Sequence, residues 1–176
     1  GFVYRIVHKP TGKIYIGRYF GVETNDKRFI EKTNDTLKCY VSKQKGFKKY
    51  INKNCITKDY KFWKVITTEA SYKGNSGFGN MFLGKVDEIH SGSYISFKVN
   101  SETEAESLVS YLGCKLPNLL LGLRKISQHI NGSVCKWIPL PPLDRLWTNT
   151  EVYEHFNLSD EDIQLIKETK IVGYKD

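Results

Sequence analysis

Between Asp35 and Asp59 the chain carries no acidic residue, yet it holds Lys38, Lys43, Lys45, Lys48, Lys49, Lys53 and Lys58, interleaved with Tyr40, Phe47 and Tyr50. Ammonium groups at that density suit a polyanion. Each lysine set beside a phosphate releases a condensed counterion, so affinity falls with salt. Such contacts position a protein on a duplex without reading its sequence. Reading requires forked or small polar groups at a groove edge, and Ser42 and Gln44 stand inside the lysine run, with Asn52 and Asn54 just beyond. Lys43, Lys45, Lys48 and Lys49 are therefore expected to contact phosphates, and Ser42 and Gln44 base edges. Arg124 and Gln128, on the polar side of a helical stretch, are secondary candidates, with salt bridging and capping as the competing role. A solvated lysine surface with Phe47, Tyr50 and Ile51 packed inward satisfies the same pattern. It is compatible with DNA contact, because the core side and the lysine side of an element differ.

Catalytic chemistry is less well served. His8, His90, His129 and His155 are scattered, with no nucleophile spaced to use them. Cys39, Cys55, Cys114 and Cys135 form no Cys-x-x-Cys pair, and no histidine stands at zinc-finger distance, so free thiols are expected and no metal site. Asp59-Tyr60-Lys61 and Glu168-Thr169-Lys170 have the acid-x-lysine form of metal-dependent nucleases, but neither has the upstream strand acid that chemistry needs. The loop from Gly74 to Gly79 lacks the Gly-x-Gly-x-x-Gly spacing and no helical period follows it, which argues against a phosphate cradle. A mobile loop fitting a groove and an ordinary connection both suit it.

The elements that must position these groups change character along the chain. Residues 2–8 and 13–18 flank Lys9-Pro10-Thr11-Gly12 and read as a hairpin. Short strands are expected at 38–42, around Trp63, at 81–83 and at 94–99, with a short helix near Phe29-Ile30. Ser101 and Glu104 have capping-box spacing ahead of Ala105, Leu108 and Leu112. A second helix is expected from about Pro117 to Ile130, a short one from Thr150 to Phe156 and a last one opening at Ser159. The prolines of 138–143 require extended chain. Trp63, Trp137 and Trp147 are expected as core or packing residues rather than as stacking platforms. The fold class is α+β, with an N-terminal β-rich part and C-terminal helices on a mixed or antiparallel sheet.

The 176 residues suit one domain, with a basic lobe at 1–72 and an α+β lobe at 73–176. The net charge is +8, and it is unevenly spread: residues 1–72 hold 16 lysines and arginines against 6 acids, residues 73–176 hold 11 against 13. That asymmetry points to nucleic acid first and to a membrane surface second. No apolar run approaches the ~20 residues of a membrane helix. The chain starts at Gly1 with strand-like Phe2-Val3-Tyr4 immediately following, as expected of a piece of a longer protein.

Two resemblances follow from particular residues. Tyr4, then Tyr15-Ile16-Gly17 with Arg18, resembles the paired tyrosines of the GIY-YIG nucleases over roughly the first twenty residues. That likeness would set the hairpin tyrosines and an arginine around a scissile phosphate, with Glu31 or Glu69 left to hold a metal and Arg28 the next arginine beyond Arg18. The second is longer. Lys38-Cys39-Tyr40-Val41 and Trp63-Lys64-Val65-Ile66, then Phe78-Gly79-Asn80-Met81-Phe82-Leu83-Gly84, Leu123-Arg124-Lys125-Ile126-Ser127-Gln128, Trp137-Ile138-Pro139-Leu140, Trp147-Thr148-Asn149 and Leu158-Ser159-Asp160-Glu161-Asp162 resemble in order the C-terminal region of type II restriction–modification adenine-specific DNA methyltransferases, fused cleaving enzymes included.

The second resemblance implies a target-recognition region for double-stranded DNA. S-adenosylmethionine and catalysis would belong to an upstream methyltransferase domain of the same chain, with no cofactor in this part. Leu140-Pro141-Pro142-Leu143 is similar to that family's Pro-Pro motif only superficially. It lacks the polar residue before and the aromatic after that a flipped adenine requires. The expectation is a bacterial, cytoplasmic DNA-recognition module without membrane partners. A GIY-YIG-like endonuclease using Tyr4, Tyr15 and Arg18 is the alternative, and a domain whose basic surface serves another protein is the third.

Overall fold

The computed structural model describes residues 15–18, 22–23, 25–41, 48–56, 60–70 and 77–174. Its strands are β1 (Tyr15–Arg18), β2 (Phe29–Ile30), β3 (Thr36–Tyr40), β4 (Lys48–Asn52), β5 (Trp63–Thr68), β6 (Met81–Gly84), β7 (Glu88–His90) and β8 (Tyr94–Val99). Its helices are α1 (Glu102–Gly113), α2 (Lys115–Arg124), α3 (Gly132–Cys135), α4 (Asn149–His155) and α5 (Asp160–Glu168). The fold is α+β, strands early and helices late.

Two four-stranded sheets form, in the orders β1-β8-β5-β6 and β2-β4-β3-β7. The first is antiparallel throughout. The second is mixed, because β7 runs parallel to β3. Strand alternation assigns the faces of the first sheet. Val65, Ile95, Phe97 and Val99 pack with Leu108, Tyr111 and Leu112 of α1 in one core. The opposite face carries Lys64, Ile66, Tyr94, Ser96 and Phe82, in register across β5, β8 and β6. That face meets the second sheet: the Tyr40 and Phe82 ring centroids lie 4.8 Å apart, and His90 Nε2 lies 2.9 Å from Ser96 Oγ. Helices, sheet and second sheet make three layers. The outer face of the second sheet has its own small core of Val22, Leu37, Cys39, Val41, Ile51, Ile56 and Ile89.

The helices begin where their caps place them. Ser101, Thr148 and Ser159 each accept a hydrogen bond from a first-turn amide, and the boxes at Thr148 and Ser159 are reciprocal. At Ser101 the box is half made, since Glu104 reaches the Asn100 amide instead. The prolines of 138–143 serve as a strap: the Pro139 carbonyl accepts from Tyr111 and the Pro142 carbonyl from Trp147 Nε1.

Two expected elements differ. Phe29-Ile30 is a strand, because pairing with β4 sets Phe29 against the buried Ile51. The helix expected to reach Ile130 ends at Arg124. Beyond it the Ile130 amide donates to the Glu69 carbonyl at 2.7 Å and His129 bridges Ala70, so tertiary pairing at the end of β5 takes the chain out of helix. Both sheets draw strands from either side of residue 72, so the change in charge and the division into layers do not coincide. No helix among the described residues is long and apolar enough to cross a membrane.

Candidate nucleic-acid interface

The two sheets share an orientation that sorts their charges. β3, β5 and β7 all finish at one end, where β4 and β8 begin. The opposite end carries acids as well as lysines. Asp35 precedes β3, Asp87 and Glu88 open β7, and Glu102 and Glu104 follow β8. Three of its lysines are taken up. Glu88 accepts from Lys38 Nζ at 2.6 Å, Tyr40 OH at 3.1 Å and the Lys85 amide at 3.0 Å. Lys53 Nζ meets Asp87 at 3.1 Å. Burial opposes the Lys38 charge, but the Glu88 and Tyr40 contacts outweigh it and hold its pKa up at about 12. Burial likewise opposes the Glu88 carboxylate, and its three donors outweigh that and lower it.

Lys64 is the centre of this end. It is 2% exposed, and its ammonium donates to the Lys85 and Glu88 carbonyls at 2.9 and 2.8 Å. Its stem crosses β6 at Gly84, where a Cβ would stand 2.7 Å from Lys64 Cγ. Burial brings its pKa down to about 8, against the pull of Glu88 and Asp87. This lysine ties the first sheet to the turn before β7, in which Asp87 takes φ 66°.

The other end is held by a row of hydrogen bonds. Ser91 Oγ donates to the Val41 carbonyl at 3.0 Å and the Ser91 amide to Tyr40 at 2.9 Å. The Glu69 amide donates to Ser93 at 3.0 Å, and Ile130 to Glu69 at 2.7 Å. Residues 40–41, 91–93, 69–70 and 129–130 are thus neighbours. Three strand spacings of about 4.8 Å and a two-residue step make the row at most roughly 20 Å long. Glu69, on this row, is engaged by His129 Nδ1 at 2.8 Å.

The expected site residues fall in three places. Ser42, Lys43, Gln44 and Lys45 lie outside the described residues, and their flanks, Val41 and Lys48, stand at the cationic end. Lys48 and Lys49 open β4 on opposite faces. Lys48 Nζ lies 5.8 Å from the Tyr40 centroid on the inner face, and Lys49 Nζ 4.8 Å from that of Phe29 on the outer. A duplex laid flat on either face would meet one of them, whereas one laid across the end of the strand would meet both. Gln128 is exposed beside His129, at the same end. Arg124 closes α2 with its guanidinium 3.9 Å from the Trp137 ring centroid, and Lys136 Nζ lies 5.5 Å from that ring.

The three tryptophans are placed differently. Trp147 is buried and Trp63 packs against the core, but Trp137 is 39% exposed under its two cations. The signal was present in the sequence. From Ser107 to Leu143 there is no aspartate or glutamate, while Lys115, Arg124, Lys125 and Lys136 all fall inside. The net charge of the second half hides this stretch behind the acids of α1, α4 and α5.

Of the nuclease constellation, Tyr15 and Arg18 belong to β1, in register with Lys98 and Ile95 of β8, and Tyr4 lies outside the described residues. Arg28 pairs with Asp26 at 2.7 Å and Glu69 with His129. Among the described residues no three histidines, cysteines or acids stand together as metal ligands. Burial pushes the Cys39 and Cys135 thiols up to about 12 and Cys114 to about 11, which leaves those sulfurs protonated. His90 is fully buried between Ser91 and Ser96, and burial brings its ring down to about 4. No protein-family model matches the chain, nor does any curated protein or solved structure.

Proposed function

We propose that this chain is a recognition module for double-stranded DNA, of the kind found C-terminal to the catalytic domain of restriction–modification adenine methyltransferases. In this reading S-adenosylmethionine and the methyl transfer belong to an upstream domain, and this part grips the duplex. The observation that carries it is the segregation of charge along the sheets. At one end Lys38 and Lys53 are bound to carboxylates and Lys64 to backbone carbonyls. At the other end, the flanks of the lysine segment 42–47 stand on the same hydrogen-bonded row as His129. That row, at most roughly 20 Å long, is on the scale of the B-DNA major groove, which is about 12 Å wide. Lys48 and Lys49, on opposite faces of one strand end, suit a duplex lying across that end.

Neutralising Lys45, Lys48 and Lys49 together is expected to weaken duplex binding and to flatten its salt dependence, by about 0.9 in log–log slope for each phosphate that no longer has a lysine beside it. Anisotropy titrations of a labelled mixed-sequence duplex at stepped salt measure this. An unchanged slope would falsify the assignment of these lysines to phosphates. The nuclease reading, resting on Tyr4, Tyr15 and Arg18, instead requires metal-dependent cleavage by this chain that Tyr15→Phe abolishes.

A further inference from the structure

The turn that follows α2 is unusual in what it leaves bare. Ile126 is 100% exposed and Leu123 70%, and the half-exposed Trp137 lies alongside with Arg124 on its face. Isolated apolar residues on a surface are ordinary. Here their surroundings differ from those of Leu165, which sits on α5 among Glu161, Asp162 and Glu168, a surface that repels a polyanion. Ile126 lies at the centre of the acid-free stretch from Ser107 to Leu143, flanked by Arg124, Lys125 and Gln128. The pairing of Ile130 with Glu69 carries the turn to the cationic end of the sheets.

We propose that the turn from Arg124 to His129 is an apolar-tipped DNA contact: Ile126 enters the groove and packs against base edges, while Arg124, braced on Trp137, meets the adjacent backbone. The charge around the turn selects the occupant. A bare isoleucine that follows Arg124 and Lys125 complements a duplex, whose phosphates lie on either side of a floor of base edges. In the major groove the thymine methyl is the apolar partner such a side chain finds. Stacking on the indole holds the guanidinium in one orientation before DNA arrives, so less freedom is given up on binding. Gln128, two residues beyond the tip, supplies a side-chain amide able to pair with a base edge.

This inference rests on the DNA reading above, and its test separates the two. Because Ile126 touches solvent all round, replacing it opens no cavity, and thermal melting checks that the fold is kept. Binding of a labelled mixed-sequence duplex is titrated at several salt concentrations for the wild type, Ile126→Ala, Ile126→Asp and Ile126→Lys. Removal of the apolar tip is expected to weaken Ile126→Ala about fivefold at every salt with the slope unchanged, since every phosphate keeps its cation. Ile126→Asp is expected to weaken binding by more than about tenfold at low salt, and Ile126→Lys to retain it. If the wild type binds and Ile126→Asp binds as tightly, the turn faces something other than DNA and the inference falls, while the module reading stands. If the wild type shows no affinity even at low salt, both fall.

Discussion

The two ends of the paired sheets use the same residue types to opposite effect. At the acidic end Lys38, Lys53 and Lys64 are building material. Each is bound to a carboxylate or to backbone carbonyls, and Lys64 has given up solvent altogether. At the cationic end Lys48 and Lys49 lie over aromatic rings at the mouth of the hairpin that holds the lysine segment, and Glu69 on the row is engaged by a histidine. Lysine content alone therefore says little about where a polyanion binds. What matters is which ammonium groups the fold has already satisfied. A lysine held by a carboxylate must break that contact to meet a phosphate.

The largest expected effect tests the seam on which both ends depend. His90 is held neutral between the sheets with its pKa near 4, against an ordinary 6.5. Between those values the unfolded chain takes up a proton that the folded chain refuses, so stability falls as pH drops from about 6.5 to about 4 and this contribution then levels off. The full difference is on the order of 3 kcal/mol. Urea unfolding across that range should show the decline in the wild type, and His90→Gln should be flatter over the same window. A parallel decline in both would assign the acid sensitivity to the carboxylates instead.

Next is Glu88, which accepts three hydrogen bonds at the acidic end. Glu88→Ala leaves Lys38, Tyr40 and the Lys85 amide without their acceptor and should cost about 2 kcal/mol in stability. Duplex affinity measured on the folded fraction should not fall. A large drop in affinity would mean that the two ends are mechanically coupled and that the contrast between them is too sharp.

Legibility in the sequence followed the range of the interactions involved. Local signals carried well: Ser101 and Ser159 open helices where spacing places them, and the apolar and β-branched runs at 63–68 and 94–99 form strands. Phe29-Ile30 and the stretch after Arg124 did not follow their local patterns, because a partner strand decides both, and the pairing of Ile130 with Glu69 has no local signature. For the candidate interface, the sequence shows how many lysines there are but not how they are used. Lys38 and Lys53 belong to the same acid-free run as Lys48, and only the parallel placement of β7 beside β3 brings Glu88 and Asp87 to them. The half-exposed setting of Trp137 has a related reason: nothing short of the fold places Arg124 on its ring.

The smallest effect makes the most direct comparison, because one strand supplies both of its terms. Lys48 opens β4 at the cationic end, and Lys53 follows its last residue at the acidic end. Lys53→Ala removes a pair with Asp87 in which the side chains are 32% and 44% exposed, so only about 0.5 kcal/mol of stability should go, and the salt slope of duplex binding should not change. Lys48→Ala removes a cation from the Tyr40 ring and, in the proposed mode, from one phosphate. It should reduce the slope by about 0.9 and weaken binding a few-fold at low salt, with stability nearly constant. Equal slopes for the two variants would mean that the duplex does not distinguish the ends of β4, and the placement of the interface at the cationic end would have to be abandoned even if the chain binds DNA.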